Sequence, residues 1–280
     1  MAKKTMSVSP HAATVEVRRC GGLEWIDRLV CPAESFSTSD GCSAVPRSRV
    51  TSSMVYEAAT VEARREYADL AQRYDRRWSW YIRASVNETL RRVHPRPGDR
   101  VLDVGCGTGV WLASAFPEEF PVTLVGLDLC HEMLQVARRR VRQGTALITA
   151  NAEALPFRDG AFDTVVSNSS LHYWSKPDVG LAEIRRVLAP GGILILTDWC
   201  TDFLTCRLCD IALRTLRRKH HRVLGLAECQ SLAEIAGLRV TRAERYKINW
   251  LWGLMTVSAR SASCSQNGVD DGTGSLDGKR

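Results

Sequence analysis

The chain has 280 residues, of which 45% are hydrophobic and 25% charged, the composition of an ordinary globular protein rather than a fibre or a mostly disordered chain. That length supports a large α/β core without disulfide staples, and no apolar run approaches the roughly 20 residues of a membrane-spanning helix. The formal net charge of +7 is carried largely by two basic runs, Arg138 to Arg142 and Arg214 to Arg222, read as solvated helix faces in preference to a nucleic-acid surface.

Residues 1–52 are rich in Ser, Pro, Gly and Cys with no sustained period, which predicts a poorly ordered extension. Met1 to Cys20 lacks the apolar stretch of a secretory signal, and Glu16, Glu24, Asp27, Glu34 and Asp40 argue against a transit peptide. A cytoplasmic location is expected, with an organelle as the alternative. The ten cysteines show no framework spacing and are expected as free thiols.

Residues 53–260 carry the ordered domain. Val55 to Val93 has helical apolar spacing (Ala63, Tyr67, Leu70, Tyr74, then Tyr81, Ile82, Val86, Leu90) closed by Pro95 and Pro97, predicting one or two leading helices. Strands at 101–104, 123–128 and 147–150 then alternate with helices at 110–116 and 132–142. Further strands at 162–167 and 192–197 frame a helix at 179–188, and helical stretches lie within 204–236. Two β-rich stretches, 238–248 and 250–259, follow without a helix between them. Alternating βα units predict a parallel sheet with helices on both faces, and the last pair predicts an antiparallel hairpin. Residues 261–280 are expected as a disordered tail.

The strongest local signal is Val101-Leu102-Asp103-Val104-Gly105-Cys106-Gly107-Thr108-Gly109, a buried strand running into three glycines and a helix. Glycine permits the sharp turn and lets a ligand approach the main chain. The third glycine comes one residue too early for the dinucleotide fingerprint. Asp103, two residues before the first glycine, would repel a pyrophosphate and suits a cationic ligand. About twenty residues on, Asp128 ends the next strand, where a carboxylate accepts hydrogen bonds from ribose hydroxyls. It indicates a nucleoside without saying which.

Together these motifs resemble the class I S-adenosylmethionine-dependent methyltransferases, in the group around the ubiquinone and menaquinone C-methyltransferases. The resemblance runs from Tyr74 to about Ala259 and rests on DVGCGTG at 103–109, Asp128, NAEALPF at 151–157, FDTVVSNSSLHYW at 162–174 and LAEIRRVLAPGG at 181–192. It implies a seven-stranded sheet in the order 3-2-1-4-5-7-6 with strand 7 antiparallel, and S-adenosylmethionine across the C-terminal ends of strands 1 to 4. Asp103 would then meet the methionine amino group, with Gly105, Cys106, Gly107 and Gly109 against the cofactor and Asp128 on the ribose. Leu129 and Met133 would flank the adenine. Asn151 stands where many relatives carry Asp; its carbonyl is still an acceptor for the adenine amino group, and Ala152 and Glu153 complete that edge. Ser167 and Asn168 would face the methionine part and the methyl group.

In-line transfer from a sulfonium depends chiefly on holding methyl and acceptor together without water. An acceptor that must lose a proton benefits from a base, for which His172 is the leading candidate and Asp198 the second. The alternative for His172 is a ring that only packs beside Tyr173 and Trp174. Substrate contacts are expected from Tyr74, Tyr81, Tyr173 and Trp199, with Trp78, Trp80, Phe203, Trp250 and Trp252 as further aromatic candidates. Cys200, Cys206, Cys209 and Cys229, with His220 and His221 nearby, read as buried thiols rather than a metal site or an acceptor for a soft element.

These features predict a methyltransferase for a small, hydrophobic acceptor, with no metal, no transmembrane segment and no nucleic-acid partner. An RNA or protein methyltransferase is the alternative raised by the charge, and a noncatalytic cofactor-binding protein is a third.

Overall fold

The computed structural model describes residues 16–17, 26, 28–30, 67–216 and 222–262. Strands β1 to β8 span Glu16–Val17, Arg100–Val104, Thr123–Asp128, Ala146–Thr149, Phe162–Asn168, Leu188–Trp199, Leu238–Lys247 and Gly253–Ser261. Helices α1 to α7 span Tyr74–Arg77, Ser79–Leu90, Val110–Ser114, His131–Ala137, Pro177–Val187, Leu204–Leu216 and Leu226–Ile235. The strands form one sheet in the order β1-β4-β3-β2-β5-β6-β8-β7. From β4 onward this is the expected 3-2-1-4-5-7-6 arrangement, with β8 antiparallel to both neighbours.

Continuous burial along Val101 to Val104 is what a strand covered on both faces requires. Side chains alternate between two cores. Leu102 and Val104 join Leu127, Ile148, Phe162 and Ile184 on one face. Val101 joins Val86 of α2, Trp111 and Leu112 of α3, and Leu134 of α4 on the other. Asp103 shares the face of Val101, because alternate residues point the same way. β2 pairs in parallel with β3 on one side and β5 on the other. The strand order reverses there, so the crevice beyond the C-terminal ends of these three strands is where an open α/β sheet binds ligands.

The leading helical segment is broken at Trp78, whose φ of −112° and ψ of 18° separate α1 from α2. Helix α4 ends at Ala137, short of the expected Arg142. Two arginines beyond it are structural rather than merely solvated. Arg142 donates to the Phe120 carbonyl at 3.0 Å, and Arg140 donates to the Thr108 carbonyl at 2.9 Å. β6 starts at Leu188 rather than Gly192, pairing with Phe162 across a register irregularity that precedes Thr164.

The expectation of an unstructured 1–52 extension does not hold for its described residues. Glu16–Val17 adds an antiparallel edge to β4. Ile26 and Leu29 are buried in the main core, Val30 forms a bridge to Phe157, and Arg158 N–H donates to the Leu29 carbonyl at 2.8 Å. Apolar residues too sparse to show a period are still buried once a sheet edge receives them. The rest of that extension, residues 55–66 of the leading segment, His220, His221 and residues 263–280 of the tail lie outside the described residues.

Candidate active site

A cavity lies in the crevice, walled by the ends of β2, β3 and β5 and covered by helical residues that include Tyr67, Tyr74 and Tyr81. The glycine turn forms its floor. A Cβ on Gly105, at φ 75°, would come within 2.3 Å of the Ser170 Cβ, so that turn accepts no side chain. A Cβ on Gly107 would meet nothing within 4 Å, leaving open space against the main chain for a ligand. Gly109 serves differently. It caps α3 in the left-handed region and packs on Ala137 without lining the cavity.

Asp103 is buried, and neither carboxylate oxygen has a hydrogen-bond partner among the described residues. Burial first, and then the neighbouring charge of Asp128, push its carboxyl up to about 8. A buried acid left without a donor is costly, and a cationic group in the cavity relieves that cost. Asp128 contrasts with it. Its Oδ2 accepts Gly107 N–H at 2.8 Å and its Oδ1 accepts Cys130 N–H at 2.8 Å. Burial raises its carboxyl while these backbone donors oppose the rise.

Among the other expected cofactor contacts, Cys106, Leu129, Met133, Asn151, Ala152, Glu153 and Asn168 line the cavity. Three of them carry structural bonds as well. Asn151 Oδ1 accepts Glu153 N–H at 3.0 Å, which uses one of the two lone pairs of the carbonyl expected for adenine. The Glu153 carboxylate accepts Ser175 Oγ at 2.7 Å and Lys176 N–H at 2.9 Å, which anchors the loop before α5. Asn168 accepts from Thr89 at 3.0 Å and donates to Ser85 at 3.3 Å, tying β5 to α2. Ser167 does not line the cavity. It is buried, with its Oγ 2.8 Å from the Ser170 Oγ.

The two catalytic candidates come together, but not at the cavity surface. His172 Nδ1 lies 2.7 Å from Asp198 Oδ1, and His172 N–H donates to Asp198 Oδ2 at 3.2 Å. Both residues are buried, and neither lines the cavity. The pair ties the loop after β5 to the end of β6, and in this arrangement neither side chain is part of the cavity lining. Trp199, expected at the substrate, lies behind that loop too, stacked on the His172 ring at 5.1 Å and edge-on to Trp252 at 4.4 Å. Tyr74, Tyr81 and Tyr173 do line the cavity, whereas Trp250 is exposed.

Tyr67, Ser169 and Ser170 also line the cavity and were not singled out as site residues. Tyr67 packs 5.6 Å from Tyr74 and 5.1 Å from Tyr173, measured between ring centroids. Its signal was the spacing of Tyr67, Tyr74 and Tyr81, seven apart and so near one helical face. Ser169 has φ 60°, the one positive value among described non-glycine residues, and its Oγ lies 2.7 Å from the Tyr81 hydroxyl. No sequence pattern marks that strain. The cysteines after β6 are free thiols: Cys200, Cys206 and Cys229 are buried and Cys209 is partly so. Burial raises the first three, so they are thiols rather than metal-seeking thiolates.

An open, mostly parallel sheet with a glycine turn, an orphaned acid beneath it and a second acid ending the next strand defines a nucleoside-binding α/β protein. The methyltransferase domain family matches residues 102–196. Over 105 residues the chain is 42% identical to a fatty-acid O-methyltransferase of Mycolicibacterium smegmatis, covering 36% of this chain and 37% of that protein. It is 38% identical to a demethylmenaquinone methyltransferase of Beutenbergia cavernae, over 40% of this chain and 46% of that one. The uncharacterized methyltransferase YdaC of Bacillus subtilis is 33% identical, over 42% of this chain and 68% of its own length. The chain thus spans less than half the length of the first two relatives. A methyltransferase solved in complex with the Trm112 activator of Haloferax volcanii superposes with a TM-score of 0.62 at 21% identity, over 70% of this chain and 98% of that chain, a likeness of fold. The chain belongs to the S-adenosylmethionine-dependent methyltransferases.

Proposed function

We propose that the chain transfers a methyl group from S-adenosylmethionine to carbon or oxygen of a small, apolar acceptor. The observation that carries this reading is Asp103: a buried acid with no hydrogen-bond partner among the described residues, under an open glycine turn, in a cavity also lined by tyrosines. The residues present fit the cofactor. Asp103 would hold its ammonium, Gly107 would admit it against the main chain, Asp128 would take its ribose hydroxyls, and Leu129 and Met133 would flank its base. When bound, that group supplies an activated methyl whose sulfur leaves as a thioether.

The chain's own contribution is placement and exclusion of water. Tyr67, Tyr74 and Tyr81 enclose the acceptor end; burial raises all three phenols well above their ordinary value. They therefore stay protonated at neutral pH and act as hydrogen-bond donors, not bases. The acceptor supplies the electron pair that takes the methyl, as a carboxylate already does at neutral pH, whereas a hydroxyl acceptor needs a base such as His172 to take its proton. Relatives named for fatty-acid and menaquinone-precursor methylation support an apolar small molecule. A cytoplasmic location and the absence of a nucleic-acid partner belong to this proposal.

The test is production of S-adenosylhomocysteine with a panel of apolar carboxylic acids and reduced quinones. Turnover above the acceptor-free rate with at least one, abolished by Asp103→Asn, is expected. Methylation of RNA or protein in place of every small acceptor overturns the proposal.

A further inference from the structure

Helix α6 has an outer face that a water-facing helix should not have. Inward it buries Cys206 and Asp210, while outward Leu204, Leu208 and Ile211 recur at helical spacing and are 70%, 58% and 44% exposed. Beside it, on the turn between β7 and β8, Trp250 is 80% exposed. The two are tied together, because the Thr205 hydroxyl donates to the Leu251 carbonyl. Large apolar side chains gathered this way mark an interaction surface.

Basic groups border this face: Arg207 is exposed on α6 and Lys247 sits 6.0 Å from the Phe203 ring, while Arg214 is paired with Asp210 and the exposed Asp202 before the helix with Arg245 at 3.3 Å. The one acid of α6, Asp210, is buried and engaged by Arg214 at 2.9 Å and by Val223 N–H at 3.1 Å. Apolar residues and a tryptophan flanked by Arg and Lys match the interface of an anionic bilayer, where lipid takes the apolar face and headgroups take the charge. A nucleic-acid backbone would satisfy the basic groups but leave Leu204, Leu208, Ile211 and Trp250 in water.

We infer that α6 and the Trp250 turn dock this protein peripherally on an anionic lipid surface. The inference deepens the proposed function, on which it rests: an apolar acceptor dissolves in lipid, and the buried side of the same helix and turn, Cys206 and Trp252, packs in one cluster with the cavity residue Tyr81. Exposed Trp80 lies 6.1 Å from Trp252 and 5.9 Å from Tyr81, the latter a cavity residue.

Flotation of the full chain with vesicles tests this, using phosphatidylcholine alone and phosphatidylcholine with about one third phosphatidylserine. Binding is expected to the anionic vesicles and to be at least about tenfold weaker on neutral ones, with Leu208→Glu and Trp250→Glu each lowering it about tenfold. Affinity for S-adenosylhomocysteine, measured by calorimetry on the same preparations, is expected to be unchanged and shows that the variants are folded. Failure to float with anionic vesicles overturns the inference while leaving the methyltransferase reading intact. So does flotation that both variants retain, or a bulk tRNA sample that competes the chain off anionic vesicles. Flotation with no cofactor affinity in any preparation would overturn the function and leave the docking face standing.

Discussion

Asp103 links stability to binding through a single proton. Its carboxyl stands at about 8 in the free chain, because burial and the charge of Asp128 both disfavour ionisation, whereas an unfolded Asp ionises near about 3.9. Between those values the unfolded state holds fewer protons than the folded one. Stability therefore falls as pH rises from about 4 to about 8, by up to about 1.4 kcal/mol per pH unit from this group, and levels above. Asp103→Asn removes that loss. In thermal melts at pH 5 and pH 8 the variant is expected to lose less stability than the parent across the interval and to melt higher at pH 8, and to lose affinity for the cofactor. Identical pH dependence in the two proteins would contradict the burial of an ionisable Asp103. His172 gives a second check: if it positions the loop after β5, His172→Gln lowers turnover and melting temperature but leaves the shape of the pH–rate profile intact. Loss of one limb of that profile would instead support the base assignment. The difference between these two residues is instructive about sequence. Asp103 was legible because its neighbours along the chain define its setting. His172 was less legible because a polar residue in a site loop points equally well into the cavity or behind it, and it is the packing of Trp199 and Asp198 that turns it from the cavity lining.

Among the elements, α1 is clasped to the glycine turn. Thr108 Oγ1 donates to Asp75 at 2.6 Å, and Arg140 reaches both Asp75, at 2.5 Å, and the Thr108 carbonyl, at 2.9 Å. Adjacent to Asp75 is Tyr74, a cavity residue, so the clasp holds a wall of the site closed. Partly exposed ion pairs contribute little to global stability, about 0–1 kcal/mol. Arg140→Ala is therefore expected to change the melting temperature by only a few degrees while speeding release of S-adenosylhomocysteine about tenfold, read by stopped-flow fluorescence. An unaltered release rate would show that α1 does not gate the cavity. The βα alternation and the glycine turn were readable because their determinants are contiguous. The clasp was not: Asp75, Thr108 and Arg140 are far apart in the chain, and Asp75 and Arg140 each alone read as surface residues.

For the molecule as a whole, the strand order was legible because right-handed βα units leave few ways to assemble. The N-terminal region was not, since its composition resembles a disordered segment although Ile26 and Leu29 are buried in the main core. Burial of two such side chains contributes about 3–5 kcal/mol as an upper estimate. Removing residues 1–31 is thus expected to lower the melting temperature clearly, whereas an unchanged temperature would make the region dispensable, as its composition suggested. The central claim, that this sheet holds S-adenosylmethionine over Asp103, is tested most directly by calorimetry with S-adenosylmethionine, S-adenosylhomocysteine and NADH, repeated with Asp103→Ala. Binding of the two sulfur nucleosides alone, lost in the variant, is the expected result; binding of NADH, or nucleoside affinity that survives the loss of Asp103, would contradict it.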